Sequence, residues 1–197
     1  MIINLATEDE LSEIVCEKIV SEILPDFRIE LKLRQGGNGY LRRKLFNFNE
    51  IAKRSPLLLL TDLDGMDCPI DLIQGWKGDR CLVQGLLFRV VVKEIEAWLM
   101  ADREAFSNQM GISLERIPEN PDVLADPKAF LLHAARRAPR RIRQELIKTR
   151  GTVASQGIGY NRKLGEFVIE HWSPERAAAQ SQSLSRCLAR LHELRGN

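Results

Sequence analysis

Long apolar runs are missing from this chain of 197 residues. Its longest aliphatic stretch, Leu57 to Leu60, falls far short of the ~20 apolar residues that a membrane-spanning helix needs, so no membrane is expected as a partner. A secretory signal is missing too. The apolar start from Met1 to Ala6 runs at once into Glu8, Asp9 and Glu10, where a signal would need a basic start and a longer apolar run. Cysteine is sparse: Cys16, Cys68, Cys81 and Cys187 form no CxxC pair, and His133, His171 and His192 form no HxxH or HxxxH pattern. A Cys/His zinc site is therefore not expected, and scattered cysteines suit a reducing, cytoplasmic setting. An excess of one charge sign is also lacking. Lys and Arg total 29 against 27 Asp and Glu, a formal net charge of +2. Any nucleic-acid surface must then come from uneven placement of charge. No internal repeat, low-complexity tract, P-loop ending, GxGxxG spacing or Ser-His-Asp arrangement occurs.

What is present is ordinary globular composition, 44% hydrophobic and 28% charged, in a chain long enough to bury a sizeable core without staples. Strand-like and helix-like segments alternate over the first hundred residues. Met1–Leu5 is a short apolar run. Leu11, Ile14, Val15, Ile19, Ile23 and Leu24 have helical spacing up to Pro25. Phe27–Leu33 alternates as a strand does. Gly36, Gly37 and Gly39 mark a flexible connection, and Tyr40–Ala52 reads as a helix. Leu57–Thr61 is a continuous apolar run, as in a strand buried on both faces, and Leu86–Val92 reads as a second buried strand, with a short helix over Ile70–Trp76 between them. Glu94–Phe106 reads as one further helix, in which Ile95, Trp98 and Leu99 fill core. This order predicts an α/β fold: a mostly parallel four-stranded sheet with helices on both faces, over residues 1–107. Residues 108–197 read as an all-helical C-terminal extension. In it Ile117–Pro127 is a proline-rich loop, Lys128–Arg150 is a basic helical segment, Gly151–Gly159 is a flexible loop, and Leu164–Trp172 and Leu184–Leu194 are helices. Tyr160 and Asn161, after that loop, are placed to touch a ligand, but packing and capping are the plainer roles for them.

In an open parallel sheet, ligands bind at the carboxyl ends of the strands, and acids cluster there in this sequence. The first strand leads to Glu8, Asp9 and Glu10. The third ends in Thr61-Asp62-Leu63-Asp64-Gly65. The fourth is followed by Glu94 and Glu96. Carboxylates brought together repel one another and are costly to bury. A divalent cation relieves both costs, and hard oxygen donors suit Mg²⁺ or Mn²⁺. If the third strand continues, alternation puts Asp62 and Asp64 on one side. Glu8, Asp62, Asp64 and Glu94 are the candidate metal ligands, and Glu8, Asp62, Asp64 and Glu96 the candidate catalytic residues. Standing against this, Glu8–Glu10 also suit the first turn of a helix, where the macrodipole favours acids.

Basic residues concentrate in two stretches. One holds Arg42, Arg43 and Lys44; the other holds Arg136, Arg137, Arg140, Arg141 and Arg143. A polarised surface of this kind follows a phosphate backbone, so these residues are the candidate nucleic-acid contacts. A solvated helix face is the plainer reading of a charge run.

The acid after the first strand, the Asp-x-Asp after the third and the βα alternation resemble the Toprim domain of topoisomerases, primases and OLD-family nucleases. Closer still are small bacterial Toprim-like proteins. They share stretches like Leu60-Thr61-Asp62-Leu63-Asp64, Glu94-Ile95-Glu96-Ala97-Trp98-Leu99, Gly159-Tyr160-Asn161-Arg162-Lys163-Leu164 and Trp172-Ser173-Pro174-Glu175-Arg176. The resemblance spans nearly the whole chain. It implies a Mg²⁺-dependent nuclease or phosphoryl-transfer enzyme, with Glu8, Asp62 and Asp64 holding the ion and Glu94 or Glu96 adding to or orienting that set. It also implies a setting beside a partner ATPase in phage defence. One departure is visible: the glycine that usually follows the Toprim glutamate is Asp9 here. That departure motivates an alternative, a catalytically degenerate subunit that binds a partner ATPase or nucleic acid. A phosphohydrolase acting on small substrates is a third reading, but it leaves the basic stretches without a purpose.

Overall fold

Leu57–Leu60 forms the centre of the sheet, and the chain around it is arranged to bury both of its faces. The structure, a computed structural model, describes residues 1–148 and 156–195. Four strands, β1 (Ile2–Ala6), β2 (Arg28–Leu33), β3 (Leu57–Asp62) and β4 (Leu86–Val91), form one sheet. Its order is β2-β1-β3-β4, and every neighbouring pair is parallel. Helices α1 (Glu10–Ile23), α2 (Asn38–Ala52) and α3 (Pro69–Lys77) connect the strands. The α/β class expected from the sequence is the observed one.

The chain divides into two compact units, Met1–Val92 with the stretch from Arg186, and Lys93–Ser185. In the first unit, one sheet face (Ala6, Leu57, Leu59, Leu86, Phe88 and Val90) joins Leu41, Leu45 and Phe48 of α2 and Leu72 of α3 in a single apolar cluster. The alternate set, Ile3, Leu5, Leu58, Leu60 and Leu87, is equally buried, as period-two alternation requires of a sheet covered on both sides. Leu11, Val15, Cys16 and Ile19 of α1 are buried as well. Cys16 lies near enough to Cys187 to feel its charge, as does Arg89 of β4. Strand β2 departs from expectation. It is an edge strand, and Leu31 stays 41% exposed, so its alternation marks a largely solvated ribbon.

The second unit contains α4 (Ile95–Ala101), α5 (Arg103–Met110), α6 (Pro127–Ala135), α7 (Arg140–Leu146), α8 (Tyr160–Glu170) and α9 (Pro174–Ala178). The last long helix, α10, spans Gln182–His192. Every residue of α4 is buried, so this helix has no polar face. The Glu94–Phe106 segment is two helices instead of one. Asp102 leaves the helical region at ψ 67°, and its carboxylate accepts hydrogen bonds from the Ser173 amide and the Arg176 guanidinium. The basic segment from Lys128 likewise divides into α6 and α7 at Pro139. The Pro139 ring bars helical continuation, and the residue before it is pushed out of the helical region. Lys128–Arg150 and Gly151–Gly159 run partly outside the described residues. Trp98 and Trp172 anchor this unit: Trp172 Nε1 donates to the Trp98 carbonyl at 3.0 Å and Trp98 Nε1 to Ser183 Oγ at 2.7 Å.

Candidate functional site

Strands β1 and β3 are neighbours at the middle of the sheet. The chain steps outward from β1 to β2 on one side and from β3 to β4 on the other. The strand order therefore reverses between β1 and β3, the place where open parallel sheets form a ligand crevice at their carboxyl ends. Glu8 lies two residues past β1, and Asp62 ends β3. Glu8 Oε1 accepts a hydrogen bond from the Asp62 amide at 2.9 Å and another from the Thr61 hydroxyl. Its other oxygen, Oε2, receives no hydrogen bond among the described residues. Burial raises the Glu8 pKa above the usual carboxylate range, and the negative charges of Asp64 and Asp9 add to the rise. The two hydrogen bonds oppose it without cancelling it.

The three consecutive acids after β1 do different things. Asp9 is the N-cap of α1, in extended backbone, with Oδ1 accepting from the Ser12 amide at 2.8 Å. Glu10 lies in the first turn. Both thus follow helix-capping and dipole preferences, and Glu8 alone reaches β3. The strand ends at Asp62, so the alternation that would set Asp62 and Asp64 on one side does not apply. Leu63 N–H still bonds to the Val91 carbonyl at 2.9 Å and Leu63 is buried. The chain then turns at Asp64, whose φ of 50° is the only positive value of a non-glycine residue among the described residues. Aspartate tolerates this left-handed region better than most residues. Exposed Asp64 accepts from Asn38 Nδ2 at 2.9 Å.

Asn38 belongs to the glycine-rich connection, which the sequence marked only as flexible. Gly36 and Gly37 adopt φ of 75° and 76°, conformations open to glycine at little cost. The Gly37 amide bonds to the Glu8 carbonyl at 3.1 Å. This connection therefore joins the acids at the strand ends. Beside it, a cavity of about 360 Å³ is flanked by α2 and α3, with Arg42, Asp64, Asp71 and Trp76 on its walls. Sequence reading passed over Asn38, Thr61, Asp71 and Trp76. The one available signal was Gly75-Trp76, a glycine inside a helical segment beside an aromatic residue.

In the second unit, Glu96 is buried. Its Oε1 accepts from the Tyr160 hydroxyl at 2.8 Å, and Lys128 Nζ lies 3.9 Å from the same oxygen. Lys128 also sits over the Tyr160 ring, 5.2 Å from its centre. Burial raises the Glu96 pKa, against the pull of the Tyr160 hydrogen bond and the Lys128 charge. Glu94 accepts from the Lys128 amide at 2.9 Å. Both acids thus have partners within their own unit. Arg42, Arg43 and Lys44 are exposed on α2; Arg136 and Arg137 after α6, and Arg140, Arg141 and Arg143 on α7, are exposed in the second unit.

Among the described residues, no three His, Cys, Asp or Glu side chains gather closely enough to hold a metal ion. Mg²⁺ is usually held by one or two carboxylates and keeps several waters, with substrate phosphates completing its shell. Glu8, Asp62 and Asp64 offer hard oxygen donors, and one Glu8 oxygen meets no donor among the described residues, in a negative setting. In kind, this donor set fits Mg²⁺ or Mn²⁺. The chain is an α/β protein with acids at the reversal point of a parallel sheet. No protein-family model, curated protein or solved structure matches it.

Proposed function

We propose that the protein is a divalent-cation-dependent phosphoryl-transfer enzyme of the Toprim kind acting on nucleic acid, most simply a nuclease, working in phage defence as the family resemblance implies. The observation that supports this reading is the pair Glu8 and Asp62 at the carboxyl ends of adjacent central strands, where the strand order reverses. Glu8, Asp62 and Asp64 would hold Mg²⁺ or Mn²⁺. When bound, the ion supplies neutralisation of phosphate charge and a water of lowered pKa. The protein's own part is positional. Thr61 and the Asp62 amide fix one oxygen of Glu8 and leave the other without a donor among the described residues. Asn38 holds Asp64 in its turn. The exposed arginines of α2 carry the backbone of the strand. Glu94 and Glu96 are assigned to the architecture of the second unit.

The test is calorimetric titration of Mg²⁺ and Mn²⁺ into wild type and Asp62→Ala/Asp64→Ala, followed by cleavage assays on single- and double-stranded DNA and RNA. Ion binding and cleavage that vanish in a variant with an unchanged circular dichroism spectrum support the reading. Cleavage that survives both substitutions, or an ion that binds neither protein, overturns it. Asp9 favours a second reading, a non-catalytic subunit that binds a partner ATPase or nucleic acid. The side chain standing where the Toprim pattern has glycine is given over to capping α1. Co-purification with an ATPase, with no metal-dependent activity, is the result that reading requires.

A further inference from the structure

We propose that the cavity flanked by α2 and α3 is a pocket for an unpaired guanine base of a single-stranded nucleic acid. This deepens the function proposed above and rests on it for the choice of polymer. The volume, about 360 Å³, falls within the roughly 300–1,000 Å³ of small-ligand sites. Trp76 offers a stacking face. It is half-buried and backed by Phe88, with ring centres 5.3 Å apart, so the indole is held in place before a ligand arrives. Stacking on such a platform is the general means of gripping single strands.

The wall chemistry selects the base. Asp71 makes no hydrogen bond or ion pair among the described residues, and Asp64 has one carboxylate oxygen that accepts none. Two carboxylates against the single guanidinium of Arg42 repel a phosphate from the interior but accept N–H donors. Guanine carries an imino and an amino donor side by side, which match the two oxygens of one carboxylate. Adenine and cytosine offer one amino group on that edge, and thymine one imino group. Arg42, exposed and likewise without a hydrogen bond or ion pair among the described residues, is the group to meet the adjoining phosphate.

Gly75 adds an independent observation. It lies inside α3, where glycine costs about 1 kcal/mol relative to alanine. A Cβ built there meets nothing within 4 Å, and the residue lines the cavity. A side chain at this position would fill the space where the base is placed and at the same time favour the helix.

The experiment is fluorescence anisotropy of a labelled short oligothymidine carrying one central guanine, against the all-thymine oligomer, in EDTA. Guanine should tighten binding about tenfold. Gly75→Leu should abolish that preference with melting temperature unchanged or raised. Asp71→Asn should remove it. Trp76→Leu should weaken binding about tenfold, and the Gly75 and Asp71 variants keep the test valid if that one fails to fold. Equal binding of the two oligomers, or an unchanged preference in Gly75→Leu, overturns the pocket. Guanosine monophosphate that binds as tightly as the oligomer overturns the strand as its ligand. Because the assay is metal-free, a failed Mg²⁺ titration leaves its result standing. Conversely, metal-dependent cleavage by a wild type that binds the two oligomers equally overturns the pocket alone.

Discussion

Replacing Tyr160 by phenylalanine removes one atom and one hydrogen bond from the interior of the second unit. The hydroxyl donates to Glu96 Oε1 at 2.8 Å, and the two residues are 1% and 3% exposed. A hydrogen bond to a charged group contributes about 1.5–3 kcal/mol. Lys128 compensates little, because its ammonium is 3.9 Å away and a third of its side chain is in solvent. The phenyl ring keeps the shape of the site, so no cavity cost is added. The expected loss is about 2 kcal/mol at neutral pH. For a chain of this size each kcal/mol moves the melting temperature by roughly 2–4 °C, giving a fall of about 4–8 °C. Urea unfolding followed by tryptophan fluorescence is the assay, since buried Trp98 and Trp172 belong to the same unit.

Charge makes the prediction sharper. Burial raises the Glu96 pKa in the folded protein, so the native state holds that proton more tightly than the unfolded chain does. Its contribution is fully present below the unfolded value of about 4.3 and is lost as pH rises through the raised folded value. Glu96→Gln keeps an acceptor for Tyr160 and carries no charge. It should therefore gain on wild type as pH rises above about 4 through the raised folded value. In the Glu96→Gln background, Tyr160→Phe breaks a neutral hydrogen bond worth about 1 kcal/mol, leaving a coupling of about 1 kcal/mol in the double-mutant cycle. Additive costs at neutral pH, or a Tyr160→Phe cost that does not change with pH, would refute the argument.

Asp9→Ala should cost about 1 kcal/mol in chemical denaturation, the usual value of a helix N-cap, because it leaves the Ser12 amide without its acceptor. Gly85→Ala should cost about 1–3 kcal/mol, because its Cβ would overlap the Ala52 carbonyl; a melting temperature equal to wild type would show that the backbone gives way there. Cys81 is exposed, whereas burial pushes the Cys187 thiol up to about 12 and that of Cys16 well above its ordinary value. A thiol reagent should modify Cys81 in the folded protein and reach Cys16 and Cys187 only after denaturation.

Strands β3 and β4 were legible because a strand covered on both faces keeps few polar positions to confuse its period, Arg89 being the interior exception in β4. The break between α6 and α7 was missed when Lys128–Arg150 was read as one segment, although Pro139 was the local signal for it. The break at Asp102 left no local signal, since its cause is the distant pair Ser173 and Arg176. Strand order is equally silent in a sequence, as parallel neighbours meet only through crossovers. The acids were read as a group because Glu8, Asp9 and Glu10 look alike on paper. Their division between β3, a helix cap and a helix turn depends on which backbone amides each side chain meets. Asp64 would share a side with Asp62 only if the strand continued, and the Asp-Gly dipeptide that follows Leu63 is itself a turn signal, with which the positive φ of Asp64 agrees.

The two glutamates with raised pKa values differ in what surrounds them. Glu96 is attended by a tyrosine hydroxyl and a lysine of its own unit, so its charge has a partner in the folded chain. Glu8 has two hydrogen bonds on one oxygen, none on the other and, among the described residues, no ion pair with a lysine or arginine. The charges felt from its neighbours Asp64 and Asp9 are negative. Glu8→Gln should accordingly raise stability in EDTA at neutral pH, while removing the upward shift in melting temperature that Mg²⁺ gives wild type. That shift should shrink as pH falls through the raised Glu8 value, because the protonated carboxyl is no ligand. If Glu8→Gln instead destabilises the metal-free protein and leaves the Mg²⁺ shift intact, then Glu8 is an architectural hydrogen-bond acceptor like Glu96. The strand-end acids would then lose their claim to a cation.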